Sequence, residues 1–139
     1  MQIYQIDFKL KRYPRGFHLI TNEIETKAVF LKNIQAGIAN LLIKHTSASL
    51  SLNENADPTV RQDFETFFTR LVPEDTKLYK HTAEGLDDMT SHIKSSILGS
   101  SLTLPITNGR FNLGTWQGIY LCEHRNAGKE RTIVLTAFG

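Results

Sequence analysis

The stretch "SLTLPITNGRF", residues 101–111, decides the class of fold. "SLTLPI" reads as a strand. Asn108–Gly109 behind it is the dipeptide that suits a two-residue hairpin turn, because both central residues of that turn need a positive φ. The chain should therefore fold back on itself as an antiparallel ribbon. Further strand-like runs follow at 114–123, "GTWQGIYLCE", and at 131–138, "RTIVLTAF". Towards the N-terminus, Tyr4, Ile6, Phe8 and Leu10 alternate with Gln5, Asp7 and Lys9, the pattern of a half-buried strand. "YPRG" (13–16) makes a turn, and "FHLI" (17–20), "ANLLIKH" (39–45) and "ASLSLNE" (48–54) read as more strand.

Three helices interrupt these strands. At "TNEIETKAVFLKN" (21–33), Asn22 is expected to N-cap with Glu25 as its capping-box partner, burying Ile24, Ala28 and Leu31. "DPTVRQDFETFFTRLVP" (57–73) is the clearest. Asp57 caps it, Pro58 suits its first turn and Pro73 ends it. Val60, Phe64, Phe67, Phe68 and Leu71 share one face and are expected in the core. The third runs from about Asp87, as N-cap, to Leu98 and stops at Gly99. The chain reads as one α+β domain over residues 1–139, with a mainly antiparallel sheet system and about three helices.

Composition narrows the function. The 139 residues are 40% hydrophobic, enough for a single core, and the net charge is only +2. That is not the strongly basic balance of a nucleic-acid binder. No apolar run is long enough to span a membrane and the N-terminus carries no signal pattern, so a cytoplasmic protein is expected. The single cysteine, Cys122, lies in an apolar run and reads as a buried structural thiol. His18 and His124 are isolated and read as surface residues.

Three stretches carry possible chemistry. In "HTAEGLDDMTSH" (81–92), Asp88 and His92 are four apart and so face the same way on a helix. Two cation ligands, or a carboxylate orienting an imidazole, have that spacing. His81 and Glu84 precede the turn at Gly85 and can fold back towards that face. Leu86, Met89, Ile93 and Ile97 fall on the opposite side as the expected buried stripe. Ser91, Ser95 and Ser96, beside His92, are small enough for close contact with a backbone, a ligand or another chain. In "KHTSASLSLNENAD" (44–57), His45 ends a strand and offers a third imidazole, while Glu54, Asn55 and Asp57 cluster at the far end. Three imidazoles with an open position form a familiar divalent-metal site. In "NGRFNLGTWQGIYLCEHR" (108–125), three glycines interleave with Arg110, Trp116, Gln117 and Glu123. Gly118 within a strand signals a bulge or a neighbour packed on the backbone. Arg110 and Arg125 have the fork that binds phosphate or carboxylate, and Trp116 suits core or interface.

Taken together, "HTSASLSLNENADP", "HTAEGLDDMTSHI" and "SLTLPITNGRFNLGTWQGI" followed by "CEHR" resemble the YjbQ family of small proteins. In "HTSAS" the family more often has a second threonine after the histidine. The resemblance implies a sandwich-like α+β fold assembled as a homotrimer, with a polar pocket near the subunit interface. It also implies an activity, since members are often named secondary thiamine-phosphate synthase. That reaction joins a pyrimidine pyrophosphate to a thiazole phosphate and releases pyrophosphate.

The leading expectation is a metal-dependent enzyme acting on a small phosphorylated substrate. His45, His81 and His92 would hold a divalent cation, and Asp88 would orient an imidazole or complete the shell. Glu54 or Glu123 would serve as acid or base. Arg110 would hold the phosphate, with Gln117 and Trp116 beside the substrate. Imidazoles suit a zinc-like ion, whereas pyrophosphate chemistry usually employs magnesium on carboxylates, so the ligand types fit the named reaction poorly. The alternative is a metal- or ligand-binding trimer without catalysis.

Overall fold

A computed structural model describes residues 1–139. The turn at 108–109 forms as expected, with φ of 51° at Asn108 and 79° at Gly109. It joins β5 (Ser101–Thr107) to a two-residue β6 (Arg110–Phe111). The larger sheet runs β1–β8–β3–β5–β6, with β1 at Ile3–Lys9, β8 at Thr132–Phe138 and β3 at Ala36–Ile43. The smaller runs β2–β7–β4, with β2 at Gly16–Leu19, β7 at Gln117–Glu123 and β4 at Ala48–Glu54. Every pairing in both sheets is antiparallel. Gly118 sits in regular register opposite Asn53. A side chain there would reach 2.6 Å from Leu19 Cδ2, so a close neighbour, not a bulge, requires the glycine.

The two sheets face each other across the main core. Leu41, Ile43, Leu104, Ile106, Ile133 and Leu135 come from the larger, and Leu50, Ile119 and Leu121 from the smaller. Each such side chain contributes about 1.5–3 kcal/mol by leaving water. α1 (Thr21–Lys27) and a 3-10 turn at Val29–Asn33 pack against this core through Ile24, Ala28 and Leu31, the expected stripe. The capping box does not form. Asn22 lies inside the helix, Ile20 precedes it without a side-chain cap, and Thr21 Oγ1 accepts the Ile119 N–H at 2.9 Å. The β2–β7 ladder reaches that point, so β7 anchors the first turn instead.

The outer face of the smaller sheet carries α2 (Pro58–Leu71) and α3 (Leu86–Leu98). Asp57 caps α2 by accepting from Thr59 N at 2.9 Å. Phe64 and Phe68 pack against Phe17 and Tyr120, but Phe67 and Leu71 are more than half exposed, contrary to the expected core face. The helix meets only a small aromatic cluster, so its stripe is wider than the surface it covers. α3 departs further. Its polar side is the buried one: Asp87, Asp88, Thr90, Ser91 and Lys94 face inward, while Leu86 and Ile97 are 56% and 54% exposed. Serine makes this possible. Ser95 Oγ donates to the Ala48 carbonyl at 3.2 Å, bringing the helix close to β4. No helix is long and apolar enough to cross a membrane.

Candidate metal centre

The first turn of α3 builds the centre. Gly85, at φ 108°, lets the chain swing into the helix, a conformation that favours glycine. Asp87, the expected N-cap, makes no capping bond. It is drawn instead to the loop after β7, accepting from Asn126 N at 2.8 Å and Arg125 Nε at 3.0 Å. One residue on, the Asp88 carboxylate is 2% exposed at its side chain. Arg125 Nη1 donates to Asp88 Oδ1 at 2.5 Å, and Nη2 donates to the Glu84 carbonyl at 3.1 Å. One arginine thus ties both aspartates to the chain leading into the helix.

That leaves Asp88 Oδ2, on which two imidazoles converge. His92, one turn along, places Nε2 at 3.1 Å, and His81, folding back from before Gly85, places Nε2 at 2.7 Å. The three donor atoms lie within 4.8 Å of one another. His92 Nδ1 donates to the Thr46 carbonyl at 2.9 Å, fixing the ring so that Nε2 faces the centre. A metal-ligating histidine usually holds its other nitrogen this way. Burial works to raise the Asp88 carboxyl, but the His81 hydrogen bond and the charges of His92 and Arg125 outweigh it and hold the group below the usual carboxylate value. Two imidazoles and a carboxylate are the donor set of zinc and related transition ions, so the residues present fit such an ion.

The other expected site residues fall elsewhere. His45 is not among the three donors. Its Nε2 accepts the Thr132 N–H at 2.8 Å, which puts the proton of the neutral ring on Nδ1, and burial together with the Arg131 charge favours that neutral form. The third donor is Asp88, expected to orient an imidazole or to complete the shell. Glu123 is fully buried: Arg131 Nε and Nη2 donate to its two oxygens at 2.7 and 2.6 Å, and a Cβ on Gly128 would come within 2.2 Å of it. A carboxylate so enclosed cannot meet a substrate. Glu54 accepts from Ala56 and Asp57 N–H, shaping the entry to α2. Gln117, its neighbour across the ladder, accepts from Gly114 N–H at 2.8 Å, and Trp116 is 65% exposed. Gln117 and Glu123 stand at opposite ends of β7, about 20 Å apart at the usual strand rise. Arg110 lines a separate hollow with Glu25 and Lys32.

Arg125 is the contributor to the centre that was not expected there. The sequence suggests an exposed arginine able to bind phosphate at Arg125, and a helix cap at Asp87. Their adjacent acidic partners and the "CEHR" run were the available signals. His124, expected at the surface, is instead 1% exposed and bonds Ser49 Oγ at 2.8 Å. Burial, then the charges of Lys94, Arg15 and Arg131, push it down to about 3. Cys122, as expected, is buried, and burial pushes its thiol up to about 12.

His124 makes stability pH-dependent. Its folded value lies below the 6.5 of a free histidine, so between about pH 6.5 and 3 only the unfolded chain takes up this proton. Its contribution is whole above that window and falls by about 1.4 kcal/mol per pH unit within it. Asp87 and Asp88, both held low, lose theirs only further down, as pH falls through their folded values. Urea unfolding from pH 7 to 4.5 should show a slope that His124→Gln reduces by about one proton. An unchanged slope would place His124 in water.

A family model described as "UPF0047 protein YjbQ-like" matches residues 5–139. The UPF0047 protein YjbQ of Salmonella typhimurium is 56% identical over 136 residues, 98% of each chain. The UPF0047 protein YugU of Bacillus subtilis is 39% identical over 122 residues, 86% of this chain and 87% of the other. A solved YjbQ/UPF0047-family structure from Clostridium acetobutylicum superposes with a TM-score of 0.80 at 38% identity, covering 94% of this chain and 97% of its own. A YbjQ-like protein of unknown function from Sulfolobus solfataricus shares the fold, with a TM-score of 0.86 at 24% identity over 99% and 98% of the two chains.

Proposed function

The chain belongs to the YjbQ-like UPF0047 family, and we propose that it is a trimeric, metal-dependent enzyme acting on a small phosphorylated substrate at the His81–Asp88–His92 centre. The observation that carries this reading is the convergence of both imidazole Nε2 atoms on the one oxygen of Asp88 that Arg125 leaves free. Bound there, a zinc-like ion would supply a Lewis acid. Arg125 holds Asp88 in place, the Thr46 carbonyl keeps Nε2 of His92 turned to the centre, and His45, with its proton on Nδ1, is part of the wall of the adjoining cavity. Magnesium fits this donor set less well, since it favours oxygen ligands. Thiamine-phosphate synthesis is then a side activity.

Protein purified without a histidine tag should carry about one equivalent of a zinc-like metal per chain. His92→Ala should abolish that content, and with it pyrophosphate release from the two thiamine precursors if the named activity uses this centre. A metal-free protein that also fails to take up micromolar zinc would sink the metal reading. Equal pyrophosphate release from His92→Ala would separate the named activity from the centre. One observation favours the non-catalytic alternative: arginines engage Asp87 and Glu123, and Arg125 with the two imidazoles occupies both oxygens of Asp88, leaving none of these carboxylates free as a base. Metal uptake without turnover of any phosphate ester would decide for it.

The trimer is supported by the outward face of α3. Leu86 and Ile97, with Phe67 and Leu71 on α2, expose apolar area that assembly would cover. Ile97→Glu should shift the mass measured by light scattering from three chains towards one without unfolding the chain. An unchanged mass would remove this face from the interface.

A further inference from the structure

We propose that the cavity beside the metal centre takes a polyhydroxylated phosphate ester, of the sugar-phosphate class, and not an aromatic heterocycle. This deepens the proposed function and rests on it for the metal. The cavity, about 620 Å³, lies between the β3–β4 connection and the C-terminal half of α3, and no hydrophobic side chain lines it. Its wall is His45, Thr46, His92, Ser95, Ser96 and Ser100, with Gly99. Ser95 is committed to the Ala48 carbonyl. The hydroxyls of Thr46, Ser96 and Ser100 make no hydrogen bond within the chain, so each remains free to donate and accept. The tautomer that Thr132 imposes on His45 adds an Nδ1–H donor.

Such a wall matches a ligand rich in hydroxyls. A pyrimidine or thiazole ring is held instead by aliphatic side chains and by Phe, Tyr or Trp, none of which lines this wall. The chain's single tryptophan, Trp116, precedes β7 and is not part of the wall. A second hollow, about 360 Å³, shares His45 and is lined by Arg125, Lys129, Glu130 and Arg131 among others. Arg125 and Arg131 are neutralised by their carboxylates; Lys129 and Glu130 make no ion pair, so Lys129 is the one cation of the hollow without a bonded carboxylate. The phosphate therefore belongs beside Lys129, the hydroxyls beside the serines, and His45 between the two.

Calorimetric titration of the tag-free protein, with and without added zinc, tests this with three probes: ribose 5-phosphate, inorganic phosphate and the hydroxymethylpyrimidine phosphate precursor of thiamine. Ribose 5-phosphate should bind at least ten-fold tighter than either of the others. The double substitution Ser96→Ala, Ser100→Ala should remove most of that advantage and leave inorganic phosphate unchanged. Both serines are exposed, so the variant folds. Lys129→Ala should weaken both phosphates. The proposal is overturned if the pyrimidine phosphate binds as tightly as ribose 5-phosphate, if inorganic phosphate does, or if the serine variant loses nothing. Zinc uptake with no sugar-phosphate binding defeats this inference and leaves the metal reading standing. Serine-dependent binding without zinc uptake does the reverse.

Discussion

Replacing Arg131 by Met should destabilise the protein by about 3–5 kcal/mol, the usual result of removing one partner of a buried ion pair. Both side chains are withdrawn from water, Arg131 at 8% and Glu123 at 0% exposure, and two hydrogen bonds join them. Without the guanidinium, the carboxylate keeps only the Arg125 N–H at 3.1 Å, and Gly128 presses on it so closely that it has no room to turn towards solvent. The double variant Arg131→Met, Glu123→Leu should recover most of the loss, because two apolar groups need no partner. Urea unfolding of the four proteins gives the coupling energy directly. A loss below about 1 kcal/mol in the single variant would mean that Glu123 reaches water, and would return it to the list of possible acids and bases.

Arg125→Met should produce the second large effect, and a different one. Arg125 is 27% exposed, so the stability lost should fall below that of a fully buried pair, at about 2–3 kcal/mol. Metal affinity should fall 10–100-fold, the range seen when a group that orients a ligand is removed. Zinc should restore part of the stability, since the cation replaces some of the positive charge that Asp88 has lost. Arg131→Met should show no such rescue, because its carboxylate lies outside the donor set. Titrating both variants with zinc while following unfolding separates the two arginines. If zinc restores neither or both alike, Arg125 does not serve the centre in particular.

The centre was partly legible from residue spacing. Asp88 and His92 meet because four residues are one helical turn, and His81 joins them because Gly85 permits the fold-back. His45 looked equally suitable as a histidine at a strand end. Its nitrogen is instead taken by an N–H of β8, a partner 87 residues away that spacing cannot show. The burial of Glu123 is hidden for the same reason. Arg131 lies eight residues on, across a loop, and whether the two meet depends on how that loop folds over Gly128.

The α3 face is the clearest case of a local rule overridden. Helical periodicity separates Leu86, Met89, Ile93 and Ile97 from Asp88, Ser91 and His92 and says nothing about which side turns inward. Apolar residues normally do. Here Arg125 neutralises the aspartates from within, and the serines let the helix approach β4, so the polar side is buried and the apolar side faces out.

By itself the sequence determined the elements: strand positions, the 108–109 turn, the Asp57 cap on α2, the stripe of α1 and the i, i+4 pair of the centre. Each rests on interactions between residues a few positions apart, where backbone geometry is the same in any fold. Only the tertiary structure decided which face of α3 is buried, which nitrogen of His45 is free, and whether an acidic residue meets solvent or an arginine. Those outcomes depend on charges and donors brought together from distant segments, whose energies far exceed the local preferences they overrule.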